Sequence, residues 1–163
     1  MPPADRPGQG RPTLRLALQC GKGIAALPAS RARIRRLVSA ALEPRPAEIT
    51  IRFVGRAESQ ALNSAYRGKA GPTNVLTFGY DGADRLCADI VVCVPLVRDE
   101  ARVQRKPFDH HLAHLLVHGS LHARGLDHLE DQEAAAMEAE EKRILRRFRI
   151  ADPYVADATT ETT

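Results

Sequence analysis

The sequence predicts an α+β fold: a single domain in which a small mixed sheet of four strands is packed with about five helices. Three observations carry that expectation. Four segments alternate, or run continuously, in apolar and β-branched residues. Five other segments have helical character in their spacing, charge or start signals. The two kinds interleave from residue 14 to residue 154 in the order β-α-β-α-β-β-α-α-α, with no internal repeat and no linker.

LRLALQC (14–20) alternates as a half-buried strand does. Residues 28–43 form a helix with Ile34, Leu37, Val38, Ala41 and Leu42 on one face, and Arg31, Arg33, Arg35 and Arg36 crowd its first half. EITIRFVG (48–55) alternates again. A short helix over 58–66 is ended by the loop RGKAGPT (67–73), whose two glycines and proline break helical structure. NVLTFGY (74–80) and LCADIVVCV (86–94) flank DGAD and should pair antiparallel. Pro95 opens a helix reaching about residue 104, and Lys106-Pro107 breaks it. An apolar helix over 109–124 and a charged one over 131–149 follow. The last starts acidic (Glu130, Asp131, Glu133) and ends basic (Lys142, Arg143, Arg146, Arg147, Arg149), which suits the helix dipole. Residues 1–13 and 155–163 are expected to be disordered tails.

A chain of 163 residues can build one core, and with three tyrosines, four phenylalanines and no tryptophan that core must be aliphatic. No apolar run approaches the roughly 20 residues that span a bilayer. The first residues lack the apolar stretch of a signal peptide. Cys20, Cys87 and Cys93 are odd in number and form no CxxC, so they are expected as buried thiols in a reducing cytosol. A net charge of +4 permits a polyanionic partner without requiring one. Neither GxGxxG nor a P-loop is present.

All six histidines lie between residues 110 and 128. In HGSLHARGLDH (118–128), His118 and His122 are four residues apart and share a helical face. Gly125 can take the left-handed conformation that ends a helix, which would let the chain turn back and bring in His128. Three imidazoles with a fourth position open make a catalytic zinc site. The spacing is that of a zinc-protease motif, but the glutamate that follows its first histidine, the general base, is here Gly119. A metal that lowers the pKa of its water needs no strong separate base, so phosphodiester cleavage suits the site better than proteolysis if a cation is near. Arg67 and Lys69 in the 67–73 loop can supply it, although charge alone fits ordinary solvated residues as well. His114, one turn before His118, would close the open position as a ligand and is read as a supporting or packing residue. His110 and His111 are expected to face solvent at the helix start. Asp127 could orient a ligand or accept a proton, or simply end the helix.

LNSAYRGKAGPTNVLTF (62–78) resembles the LNxxYRGKDxPTNVLSF signature of the YbeY family of rRNA maturation factors, and HGSLHARGLDH resembles its HGxLHLxGYDH motif. ADIVVC resembles the family's GDIxIC strand, and MEAEEKRIL and DPY match its C-terminal pattern, over roughly residues 48–154. The resemblance implies an α+β metal-dependent hydrolase of the bacterial cytoplasm. It would be a single-strand-specific endoribonuclease acting in small-subunit (16S) rRNA maturation and ribosome quality control. One Zn2+ would be held by His118, His122 and His128, with Arg67 functionally important. Ala70, Ala88, Ala123 and Leu126 depart from the pattern without removing a ligand.

On this reading Arg67 neutralises charge developing on the scissile phosphate and Lys69 positions the backbone. With so few aromatics, bases would be read poorly and specificity would come from ribosomal partners. Two other readings stay open: a ribosome-binding module whose metal only holds the fold, and a metallopeptidase.

Overall fold

In the computed structural model, residues 14–80, 84–125 and 131–154 are described, 131–133 as backbone only. The tails expected at 1–13 and 155–163, most of the DGAD turn, Asp127, His128 and the acidic side chains at 130–133 lie outside the described residues.

Alternation along the strands decides which face of the sheet is buried. β1 (Leu14–Cys20) pairs parallel with β2 (Ala47–Val54), and β2 pairs parallel with β4 (Leu86–Cys93). β3 (Val75–Tyr80) pairs antiparallel with β4, as the two flanking segments predict, and gives the order β1-β2-β4-β3. Leu14, Ile49, Ile51, Phe53, Ala88, Ile90 and Val92 lie on one face and belong to the main core. A smaller cluster of Val54, Leu76, Val91 and Cys93 lies on the other, with Leu62, Phe78 and Leu96 packed against it.

Helix α1 (Arg31–Leu42) joins the parallel strands β1 and β2, the kind of crossover that parallel pairing requires. It starts three residues later than its periodicity suggests, because the Ser30 side chain accepts from the Arg33 N–H at 3.1 Å and caps it. Its Ile34, Leu37 and Val38 are fully buried while Arg31, Arg35 and Arg36 are exposed. α2 (Arg56–Arg67) begins two residues early, since extended Gly55 takes the N-cap. α3 (Val94–Val103) carries Pro95 in its first turn, as expected.

α4 (Phe108–Ala123) is the central helix, covered by the sheet, α1, α3 and α5 (Asp131–Arg147). That environment explains why it is apolar on most sides: Leu112, Leu116, Val117 and Leu121 are all buried. The cysteines depart from expectation. Cys93 is buried, but Cys87 is only half-buried and Cys20 is exposed, because it ends edge strand β1. No helix among the described residues is long and apolar enough to cross a membrane.

Candidate metal centre

The position that a peptidase would give to its glutamate faces the sheet. A Cβ on Gly119 would stand 3.1 Å from Ile90 Cγ2 and 3.3 Å from both Thr77 Oγ1 and Val75 Cγ2. Thr77 also donates its hydroxyl hydrogen to the Gly119 carbonyl at 3.1 Å, tying α4 to β3. Glycine lets helix and sheet approach this closely, and a glutamate has no room here.

His118 and His122 share the helical face next to that contact. Their rings are 4.5 Å apart at 72°, and their Nε2 atoms are 3.0 Å apart. On the other side of the His118 ring, Nδ1 lies 2.5 Å from Glu141 Oε1. Glu141 comes from α5, has no exposed surface, and with its second oxygen meets His114 Nε2 at 3.1 Å and the Tyr154 hydroxyl. Burial alone would raise the Glu141 pKa, but the hydrogen bonds from His114, His118 and Tyr154 outweigh it and hold the carboxyl at about 2. Burial, and then the bond to Glu141, push the Tyr154 phenol upward.

The charge on Glu141 assigns the protons. An ionised carboxylate only accepts, so His118 carries its hydrogen on Nδ1 and His114 on Nε2. His118 Nε2, on the other side of the ring, faces His122 Nε2. This is the carboxylate–histidine arrangement that orients metal ligands. His114, His118 and Glu141 each offer a ligand atom within 4.8 Å of one another and form a group that could hold a metal ion. Past them α4 ends at Ala123, and Gly125 adopts φ 91°, the left-handed turn expected before the third histidine. His128 itself lies outside the described residues.

His114 lies edge-on to both His118 and Tyr154. His111 departs from expectation. It is 4% exposed, and its Nε2 is 3.0 Å from Glu100 Oε1, because α3 covers the start of α4 and brings Glu100 against it. His110 is half-exposed. Arg67 and Lys69 are exposed, at and just beyond the end of α2. α2 packs on the sheet face opposite α4, and one route between them is the loop leading into β3, whose Val75 and Thr77 lie against Gly119. That loop is held by bonds between Ser59 Oγ and both the N–H and carbonyl of Thr73, and by Asn63 Nδ2 donating to the Gly71 carbonyl at 2.9 Å.

Sequence reasoning assigned no role to Glu141 or Tyr154. The signal for Glu141 was present: it falls on the apolar stripe Met137, Ile144 and Leu145 of α5, where a charge needs a buried partner. For Tyr154 the only signal was its place in DPY, the segment that matches the family's C-terminal pattern.

Fold and site define a class: an α+β domain carrying a histidine–carboxylate centre able to hold a metal ion. The family model described as Endoribonuclease YbeY matches residues 25–149, and the chain belongs to the YbeY family of endoribonucleases. The curated relative from Thiobacillus denitrificans, described as Endoribonuclease YbeY, is 52% identical over 145 residues, covering 88% of this chain and 97% of the relative. Its counterpart from Methylibium petroleiphilum, with the same description, is 47% identical, covering 88% and 96%. The solution structure of TM1509 from Thermotoga maritima is similar with a TM-score of 0.55 and 25% identity, covering 87% of this chain and 99% of that one.

Proposed function

We propose that the protein is a zinc-dependent, single-strand-specific endoribonuclease of the bacterial cytoplasm. Its role would be the maturation of small-subunit (16S) rRNA and ribosome quality control, with RNA and the small ribosomal subunit as partners. The observation that carries this reading is the His118–His122 pair, its Nε2 atoms 3.0 Å apart and backed by buried Glu141, in a chain of an endoribonuclease family. The ligand set is His118, His122 and His128, one ion per chain. Glu141 stands behind His118 as its orienting partner, because both its oxygens are engaged by His114, His118 and Tyr154.

Imidazole donors suit zinc, and a carboxylate behind His118 is the partner that holds such a ligand in its ligating tautomer. Zinc bound there supplies a Lewis acid and lowers the pKa of a coordinated water. Glu141 keeps His118 in its tautomer, and Tyr154 and His114 keep Glu141 ionised and in place. Arg67 offers a fork of donors to phosphate oxygens and neutralises the charge that develops on them. Lys69 adds a point charge along the backbone. A peptidase reading has Gly119 against it, since the site lacks both the base and the space for one.

The test is cleavage of a labelled single-stranded RNA by the zinc-loaded protein beside a folded His122→Ala variant purified identically. Cutting by the wild type alone is expected. Equal cutting by both would place the activity elsewhere and defeat the proposal.

A further inference from the structure

The chain has three tyrosines, four phenylalanines and no tryptophan, and the fold gathers two of the tyrosines and one phenylalanine at a single place. Tyr66, one residue before the end of α2, is 69% exposed and meets the Phe78 ring edge-on, centroids 5.0 Å apart at 63°. Phe78 is half-buried against the smaller apolar cluster, which makes it a fixed backing for Tyr66. Tyr80 lies two residues further along β3, on the same face, and is 55% exposed. Its hydroxyl donates to Asp89 Oδ2 at 2.8 Å on the neighbouring strand, which holds the ring in place. Both tyrosines thus present ring surface to water from anchored positions.

Three further observations say what these rings suit. Arg67 follows Tyr66 directly at the end of α2 and Lys69 lies two residues beyond Arg67, both exposed, so positive charge is available on the same short segment of chain as the Tyr66 ring. β3 is an edge strand of the sheet, so no further strand flanks the rings on its outer side. On the opposite face of the same strand, Val75 and Thr77 touch Gly119, the neighbour of His118. One strand therefore separates the rings from the histidine centre. Exposed aromatics beside cations match a ligand with both π-faces and phosphates. An unpaired nucleic acid strand has both, whereas a duplex hides its base faces.

We propose that Tyr66 and Tyr80, backed by Phe78, form a stacking platform for the unpaired bases of single-stranded RNA, with Arg67 and Lys69 taking the phosphates alongside. The proposal rests on the ribonuclease reading and adds the residues that prefer single strands over duplex. Stacking tolerates any base, so the platform selects for unpaired structure and leaves sequence unread.

The test measures binding of a labelled single-stranded RNA octamer, and of an abasic octamer with the same phosphates, to the full chain by fluorescence anisotropy, with His122→Ala present in every protein so that the probe stays uncut, and cleavage is measured separately without that substitution. Tyr66→Ala and Tyr80→Ala are each expected to weaken octamer binding by about tenfold, on the usual strength of base–aromatic stacking. Tyr66→Phe, which keeps the ring, stays near wild type, and Tyr80→Phe, which keeps the ring but loses the bond to Asp89, falls between wild type and Tyr80→Ala. The abasic probe binds more weakly and equally to all. Because there is no tryptophan, tyrosine emission itself should be quenched as bases stack, and by the octamer alone. Alanine variants that bind the octamer like wild type, or that lose the abasic probe equally, would overturn the platform. Such a result beside normal cleavage leaves the ribonuclease reading intact. The expected binding pattern without cleavage upholds the platform and removes the ribonuclease reading, and no RNA binding at all defeats both.

Discussion

Glu141 is a buried charge whose place in the protein is justified by three donors: His118, His114 and Tyr154. Replacing it with glutamine keeps the shape but gives His118 a neutral, ambivalent partner that no longer enforces one tautomer. Glu141→Gln is expected to fold and to bind zinc about 10- to 100-fold more weakly, measured by competition with a chromophoric chelator. Unchanged affinity would show that His118 needs no orienting partner. Gly119 makes a second residue-scale argument. Alanine there gains up to about 1 kcal/mol of helix propensity. It also meets Ile90, which is fully buried, and Thr77, which is tied to the same helix by its hydroxyl. Overpacking of that kind costs about 1–3 kcal/mol, so Gly119→Ala should lower the urea midpoint. Gly119→Glu should destabilise further and should gain no peptidase activity.

At the scale of elements, the loop 67–74 is tied into two helices. Ser59 and Asn63 of α2 hold Thr73 and Gly71, and Asn74 donates to Glu100 of α3, which also bonds His111 of α4. Ser59→Ala removes two bonds to Thr73 and is expected to cost about 1–2 kcal/mol in stability. RNA cleavage should fall with it as Arg67 and Lys69 lose their fixed base. Full activity in the destabilised variant would separate the loop's order from catalysis. The His111 pKa is lowered by burial, with Glu100 opposing the shift and His114 and Lys106 adding to it. The unfolded chain then takes up the proton first. The stability tied to neutral His111 is complete above the unfolded pKa, near 6.5, and is lost as pH falls below it. Urea midpoints at pH 7.5 and 5.5 should therefore drop more for wild type than for His111→Gln. Equal drops would mean that His111 is not the group responsible.

For the molecule as a whole, the main core runs through the sheet, α1, α3, α4 and α5 and is built of apolar side chains, with neither His118 nor His122 among them. Chelating the metal is therefore expected to abolish cleavage while leaving a cooperative thermal transition at a somewhat lower Tm, the difference being the binding free energy of the ion. Loss of the far-UV helical signal on chelation would instead favour a metal whose role is to hold the fold.

What the sequence by itself determined is local and periodic. Alternation marked β1 and β2, apolar β-branched runs marked β3 and β4, helical spacing and start signals marked the five helices, and the i, i+4 pair with Gly125 marked the turn of chain around His118 and His122. These signals are legible because a strand or helix places neighbouring side chains by its own geometry. Only the tertiary structure decided the rest. Glu141 lies 23 residues from His118, and Glu100 lies 11 from His111, so neither partnership follows from any one element. The sequence equally could not tell that Gly119 faces a sheet, or that Tyr66 of α2 meets Phe78 of β3. Such contacts depend on how separate elements share a core. Packing density and the need to satisfy buried charge choose that arrangement, and no local spacing encodes it.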